Sequence, residues 1–210
     1  MAHDAEVIEL RELTAGANES ALAALFSKYR ANLEQAVRIR LDRRMQSREG
    51  GSDILQESYL VAAKDLPRYV QDPKVSPYVW LRGIVQQRLI DAHRRHGCAK
   101  RDAKREVSLH RGSMPQADSF SIASKLLGDL PSPSDAVLRT EARVILQTAL
   151  NRMDPIDREI IAMRHFEGLK SVEVARVLEL DESTASTRYL RALKKLKNAL
   201  SEHPEIFPAE

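Results

Sequence analysis

Cysteine is nearly missing from this chain: Cys98 is the single one among 210 residues. That excludes an internal disulfide framework and suits a reducing cytosol. Long apolar runs are also missing, and nothing approaches the roughly 20 consecutive apolar residues that span a bilayer. The opening Met-Ala-His-Asp-Ala-Glu has neither the basic start nor the apolar core of a signal peptide. A cytoplasmic protein without membrane insertion is expected. Glycine is scarce, no Gly-rich phosphate loop is found, and no repeat recurs at solenoid spacing. No Ser/His/Asp or Cys/His set suggests itself, and carboxylates fall in ion-pair patterns such as Glu9-Arg11-Glu12. The expectation is a protein that is not an enzyme. His93, His96 and Cys98 lie close together but lack a fourth ligand, and Arg94, Arg95 and Lys100 crowd them with like charge. A closed metal site needs four ligands, so no metal and no cofactor are expected.

What is present is helical period and segregated charge. Formal net charge is only +3. Yet Arg82, Arg88, Arg94, Arg95, Lys100, Arg101, Lys104 and Arg105 face only Asp91 and Asp102 over one stretch. A second basic stretch carries Arg188, Arg191, Lys194, Lys195 and Lys197 against Glu182. Two separate basic patches point to two contacts with a polyanion. Apolar residues at spacings of three and four predict helices over 21–44, 52–65, 78–96 and 136–152. Ser52 is placed as a helix cap, and Pro67, Pro73 and Pro77 as punctuation of an irregular stretch. From Cys98 to about Pro133 the chain turns basic and then Ser/Gly/Pro-rich, with at most a short helix around Ile122 to Leu127. A loop that long argues for two domains. The fold class is therefore all-α, two small helical domains joined by a flexible linker. The expected boundaries are 1–97, linker 98–133, second domain 134–203 and a tail over 204–210.

The end of the chain carries the most specific signal. Asp154 can cap a helix whose first residue is Pro155, where the missing N–H costs nothing, and Gly168 ends it. Ser171 can cap a short helix, and Asp181 a longer basic one after the tight turn Glu179-Leu180-Asp181. A short helix, a tight turn and a basic helix form a helix-turn-helix, whose last helix enters a major groove. Ala185, Tyr189, Leu193, Leu196 and Leu200 should face the core. Ser183, Thr184, Ser186, Thr187, Arg188, Arg191 and Lys195 are then the candidates for contact with duplex DNA.

The run from Leu150 to Leu200 resembles region 4 of bacterial RNA polymerase sigma factors of the sigma-70 superfamily, and more narrowly the extracytoplasmic-function (ECF) group. "SDILQESYLVAAKDL" followed by "VSPYVWLRGIVQQRLIDAHRRH" is similar to region 2 of that group, with Trp80, Leu81, Asp91, Arg94 and Arg95 echoing its Trp-Leu … Asp-x-x-Arg-Arg helix. The resemblance implies a sigma factor that binds core RNA polymerase and directs transcription initiation. Region 2 would recognise and melt the −10 element, and region 4 would bind the −35 element. It carries Asp53, Gln56 and Glu57 over as the polymerase-facing set. Single strands are held by aromatic platforms in a positive groove. The downstream candidates are accordingly Tyr69, Tyr78, Arg82, Gln87, Arg88, Arg94 and Arg95, with Trp80 assigned to the core. Gln87 stands where the family often has Asn, and Ser186 where it often has a basic residue. The stretch 43–51 looks longer than the family's turn. Expected partners are core RNA polymerase, promoter DNA and, in the absence of a fused sensor domain, a separate anti-sigma factor. The alternative is a free-standing helix-turn-helix regulator, which would need symmetry. No sustained heptad would dimerise this chain, so a monomer is expected.

Overall fold

Residues 18–42, 45, 50–99, 116–129 and 136–207 are described by the computed structural model. Every regular element among them is a helix, as the periodicity requires. Two compact units divide the chain, Met1–Pro115 and Gln116–Glu210. The basic run 100–105 and most of the 43–51 stretch lie outside the described residues.

The first unit contains α1 (Asn18–Arg40), α2 (Gly51–Gln71) and α3 (Pro77–Ala99), each packed on the other two. Leu22, Leu33 and Val37 of α1 meet Ile54, Ala62 and Leu66 of α2 and Leu81, Val85 and Leu89 of α3 in a common buried layer. Ser76 precedes α3 as its cap: its Oγ accepts from Val79 N at 3.4 Å, and Pro77 takes the first helical position. His93 Nε2 lies 3.1 Å from Arg40 O, so the imidazole satisfies a carbonyl left over at the end of α1.

Two boundaries differ from the sequence reading. Gly50, not Ser52, precedes α2, and Asp53 Oδ2 accepts from Gly50 N at 2.9 Å. The carboxylate three residues into the helix does the capping, leaving Ser52 inside it. Pro67 lies within α2 instead of ending it. Proline in a helix interior forfeits a backbone bond and costs about 3 kcal/mol. Here the ring is on the exposed face, while Leu66 and Tyr69 on either side of it are buried, so packing carries the helix past it.

The second unit contains α4 (Ser119–Asp129), α5 (Ala136–Asn151), α6 (Pro155–Ile161), a π-turn over Ala162–Phe166, α7 (Ser171–Val177) and α8 (Glu182–Ser201). Residues 119–129 fall within the expected linker, around the short helix allowed for Ile122 to Leu127. They form a full helix that buries Ile122, Ala123 and Leu127 and packs on α5. Just before α4, the backbone N–H of Ala117 donates to the buried Glu159 carboxylate of α6, which ties the entry of α4 to this unit.

Candidate nucleic-acid interface

Pro155 and Asp154 start α6 as the sequence predicts, with Asp154 Oδ1 accepting from Ile156 N at 2.8 Å. Arg158, one turn on, donates from Nη1 to Leu150 O at 3.1 Å and Met153 O at 3.0 Å, and so closes the exposed end of α5 onto α6. Past the π-turn, Gly168 takes φ 71, and Leu169 N donates to Met163 O at 3.0 Å. Lys170 rather than Ser171 precedes α7, and its N–H donates to Glu173 Oε2 at 2.9 Å. The turn into α8 places Glu179 at φ 54. Leu180 N donates to Ala175 O at 2.8 Å and Glu179 N to Arg176 O at 3.4 Å, the pair of bonds that closes a helix through a left-handed residue.

Together these contacts present α8. It packs on α5, α6 and α7 through Ala185, Ala192 and Leu196, all buried. Arg164 braces it from the π-turn: its guanidinium lies 5.3 Å from the Tyr189 ring centroid while Nη1 donates to Leu169 O at 2.8 Å. Ser183, Thr184, Thr187 and Arg191 are exposed, and Ser186 is half-buried. Lys194 and Lys197 continue the exposed cationic face. Short hydroxyls followed by an arginine and lysines suit base edges and then phosphates. Arg188 and Lys195, expected among them, pair within the unit instead. Arg188 Nε lies 3.0 Å from Asp157 Oδ1, Arg188 Nη2 lies 3.1 Å from Asp154 Oδ1, and Lys195 Nζ lies 3.3 Å from Asp157 Oδ2.

In the first unit the outer face of α3 carries Gln87, Arg88, Arg94 and Arg95 together. Asp91 is interleaved: Arg88 Nη2 lies 2.8 Å from its Oδ2, and Gln87 Nε2 donates to its Oδ1 at 3.2 Å. Arg95 reaches Glu57 of α2 at 3.6 Å. Three residues expected with this set sit inside. Arg82 is 2% exposed and donates to Gln86 Oε1 at 3.3 Å. Tyr78 is buried against Tyr29, ring centroids 5.1 Å apart. Tyr69 is buried and stacked flat on Trp80, centroids 4.3 Å apart and planes at 10°, and its hydroxyl donates to Val75 O at 2.7 Å. The cause is helical register: Tyr78, Arg82, Val85, Leu89 and Ala92 recur at threes and fours on the buried side. Trp80, assigned to the core, is half-buried. It lines, with Tyr69, Asp65, Arg68, Gln71, Asp72, Lys74 and Val75, a cavity of about 370 Å³.

On α2, Asp53 and Gln56 are exposed and Glu57 is half-exposed. Leu60 continues the same outer face at 62% exposure. It is a large apolar residue that the sequence reading passed over, although it stands one turn beyond Gln56. Among the described residues no group of His, Cys, Asp or Glu is placed to hold a metal ion, and no helix is long and apolar enough to cross a membrane.

The same helices are found in known proteins. Residues 143–196 match the family described as Sigma-70, region 4. The chain is 25% identical over 150 residues to a probable RNA polymerase sigma factor of Haemophilus influenzae, covering 71% of this chain and 76% of that one. It is 26% identical over 181 residues to the ECF RNA polymerase sigma factor SigK of a Mycobacterium species, covering 86% and 83%. The solved structure of CnrH in complex with the cytosolic domain of CnrY shares the fold, with a TM-score of 0.56 at 20% identity over 95% of this chain and 99% of that chain. Over residues 143–196 the chain is thus similar to the Sigma-70, region 4 family, and along most of its length it is similar to RNA polymerase sigma factors, the ECF group among them.

Proposed function

We propose that this protein binds core RNA polymerase as a monomer and directs it to specific promoters in the cytoplasm, with the first unit recognising and melting the −10 element and the second binding the −35 element. The observation that carries the reading is the exposed face of α8, where Ser183, Thr184, Ser186, Thr187 and Arg191 stand on a helix-turn-helix within the region 4 match. The outer face of α3 supplies the second contact through Gln87, Arg88, Arg94 and Arg95. A cavity of about 370 Å³ lies within the roughly 300–1,000 Å³ range of small-ligand sites. The stacked Tyr69 and Trp80 give it an aromatic wall on which an unstacked base can rest. Tyr78 and Arg82 act in this account as framework for α3. Asp53, Gln56 and Glu57 form the polymerase-facing set, and Leu60 adds apolar area beside them.

Control falls to a separate anti-sigma protein. CnrH, which shares the fold, was solved with the cytosolic domain of a second protein bound. Transcription reconstituted from core enzyme with and without this chain tests the whole reading. Promoter-specific initiation only in its presence is expected. Tight duplex binding by the chain alone, with initiation by core enzyme unchanged, would favour a free-standing regulator.

A further inference from the structure

Asp157 is nearly enclosed, with 7% of its side chain exposed, and is paired with two cations of α8. Each oxygen takes a different partner: Oδ1 accepts from Arg188 Nε at 3.0 Å, and Oδ2 from Lys195 Nζ at 3.3 Å. A charge withdrawn from water is costly unless paired, so the arrangement holds both cations firmly. Arg188, 29% exposed, is engaged a second time, by Asp154 through Nη2. Of the two edges through which a guanidinium grips a base, the Nε/Nη2 edge is therefore occupied. Arg188 and Lys195 stand seven residues apart, two turns along one line of α8. Two anchors on one line fix the rotation of the helix about its own axis. That rotation leaves Ser183, Thr187 and Lys194 pointing away from the buried Ala185, Ala192 and Leu196.

We infer that Asp157 is a positioning residue for DNA reading: by holding Arg188 and Lys195 against α6 it fixes which face of α8 meets the duplex and keeps two cations off the phosphates. The inference rests on the reading of α8 as the duplex-binding helix. Binding that uses phosphate contacts weakens with salt, log K falling by about 0.9 per contact for each unit of log salt. Asp157→Asn removes the charge that restrains Lys195 and one of the two that restrain Arg188. Lys195 then becomes available to any sequence, Arg188 is left on Asp154 alone, and the anchoring of α8 against rotation is weakened.

The test measures binding of the full chain to short duplexes of random sequence across a salt series, and sequences the bound fraction. Asp157→Asn is expected to bind the pool more tightly than wild type, with a salt slope steeper by about 0.9 per released cation and a blurred enriched motif. Each such contact makes binding about eightfold tighter at 0.1 M salt relative to 1 M. Asp157→Glu, which keeps the charge, restores slope and motif toward wild type. Lys195→Gln, a change at a largely exposed position, leaves the slope at the wild-type value. A Lys195→Gln slope shallower by about 0.9 would place Lys195 on a phosphate and overturn the inference. An Asp157→Asn protein with wild-type slope and motif overturns it as well. A wild-type chain that enriches no motif overturns instead the assignment of α8 to DNA.

Discussion

Arg158 spends its guanidinium on the carbonyls of Leu150 and Met153, at and just beyond the end of α5. A hydrogen bond from a charged donor contributes about 1.5–3 kcal/mol. Arg158→Ala is therefore expected to lower the stability of the second unit by that amount, read from denaturant unfolding; a stability within about 0.5 kcal/mol of wild type would show the contact to be idle. Arg191 is the contrasting arginine, exposed on α8. Arg191→Ala should leave stability unchanged, cost about 1–3 kcal/mol in duplex affinity and relax preference at one base position. Equal loss on every sequence would assign it to phosphate alone. The sequence showed that these residues were basic and where they fell on their helices. It did not show that Asp154 and Asp157 would approach Arg188, because those pairings join residues 31 or more apart in the chain and exist only after α6 and α8 pack. Arg82 was misplaced for a different reason. Its charge suggested an outer position, whereas its spacing from Tyr78, Val85 and Leu89 set it on the buried stripe.

At the scale of elements, period identified the helices well and local chemistry identified their ends less well. Pro155 after Asp154 marked a start correctly, and Pro77, read as punctuation, takes the first position of α3, since a fixed φ and a missing N–H suit that position. Ser52 and Ser171 suggested caps one or two residues late, because Asp53 and Glu173 reach back from the third helical position to do the capping. Pro67 was misread and α4 extends beyond the short helix allowed around Ile122 to Leu127, because packing overrides propensity and packing partners are not visible in a local window. The turn between α7 and α8 offers a direct measurement. Glu179 holds φ 54, a conformation that costs an L-residue roughly 1–2 kcal/mol and glycine little. Both turn-closing hydrogen bonds use backbone atoms. Glu179→Gly should keep them and gain up to about 1 kcal/mol, the gain being trimmed by the greater freedom of an unfolded glycine. Thermal unfolding of the variant at a lower temperature than wild type would show that the Glu179 side chain contributes more than its backbone strain costs.

At the scale of the molecule, each unit closes a core of its own. Leu33 of α1 and Leu150 of α5 are both fully enclosed, one in each unit. The change in composition after Gly97 made a division into two legible. It could not show where the second unit begins, because Ala117 and α4 join that unit through Glu159 and α5, contacts that only the folded chain displays. If the cores are energetically independent, damage to one should not propagate. Leu150→Ala deletes buried volume and should cost about 2–5 kcal/mol in the second unit. For units of this size a loss of 1 kcal/mol lowers a melting temperature by about 4–8 °C. Calorimetry of the full chain should then show one transition displaced downward by about 10 °C or more, with the other unmoved. Leu33→Ala should displace the opposite transition. A single transition that shifts as a whole in both variants would mean that the two units unfold as one cooperative body, and that a partner binding either unit stabilises both.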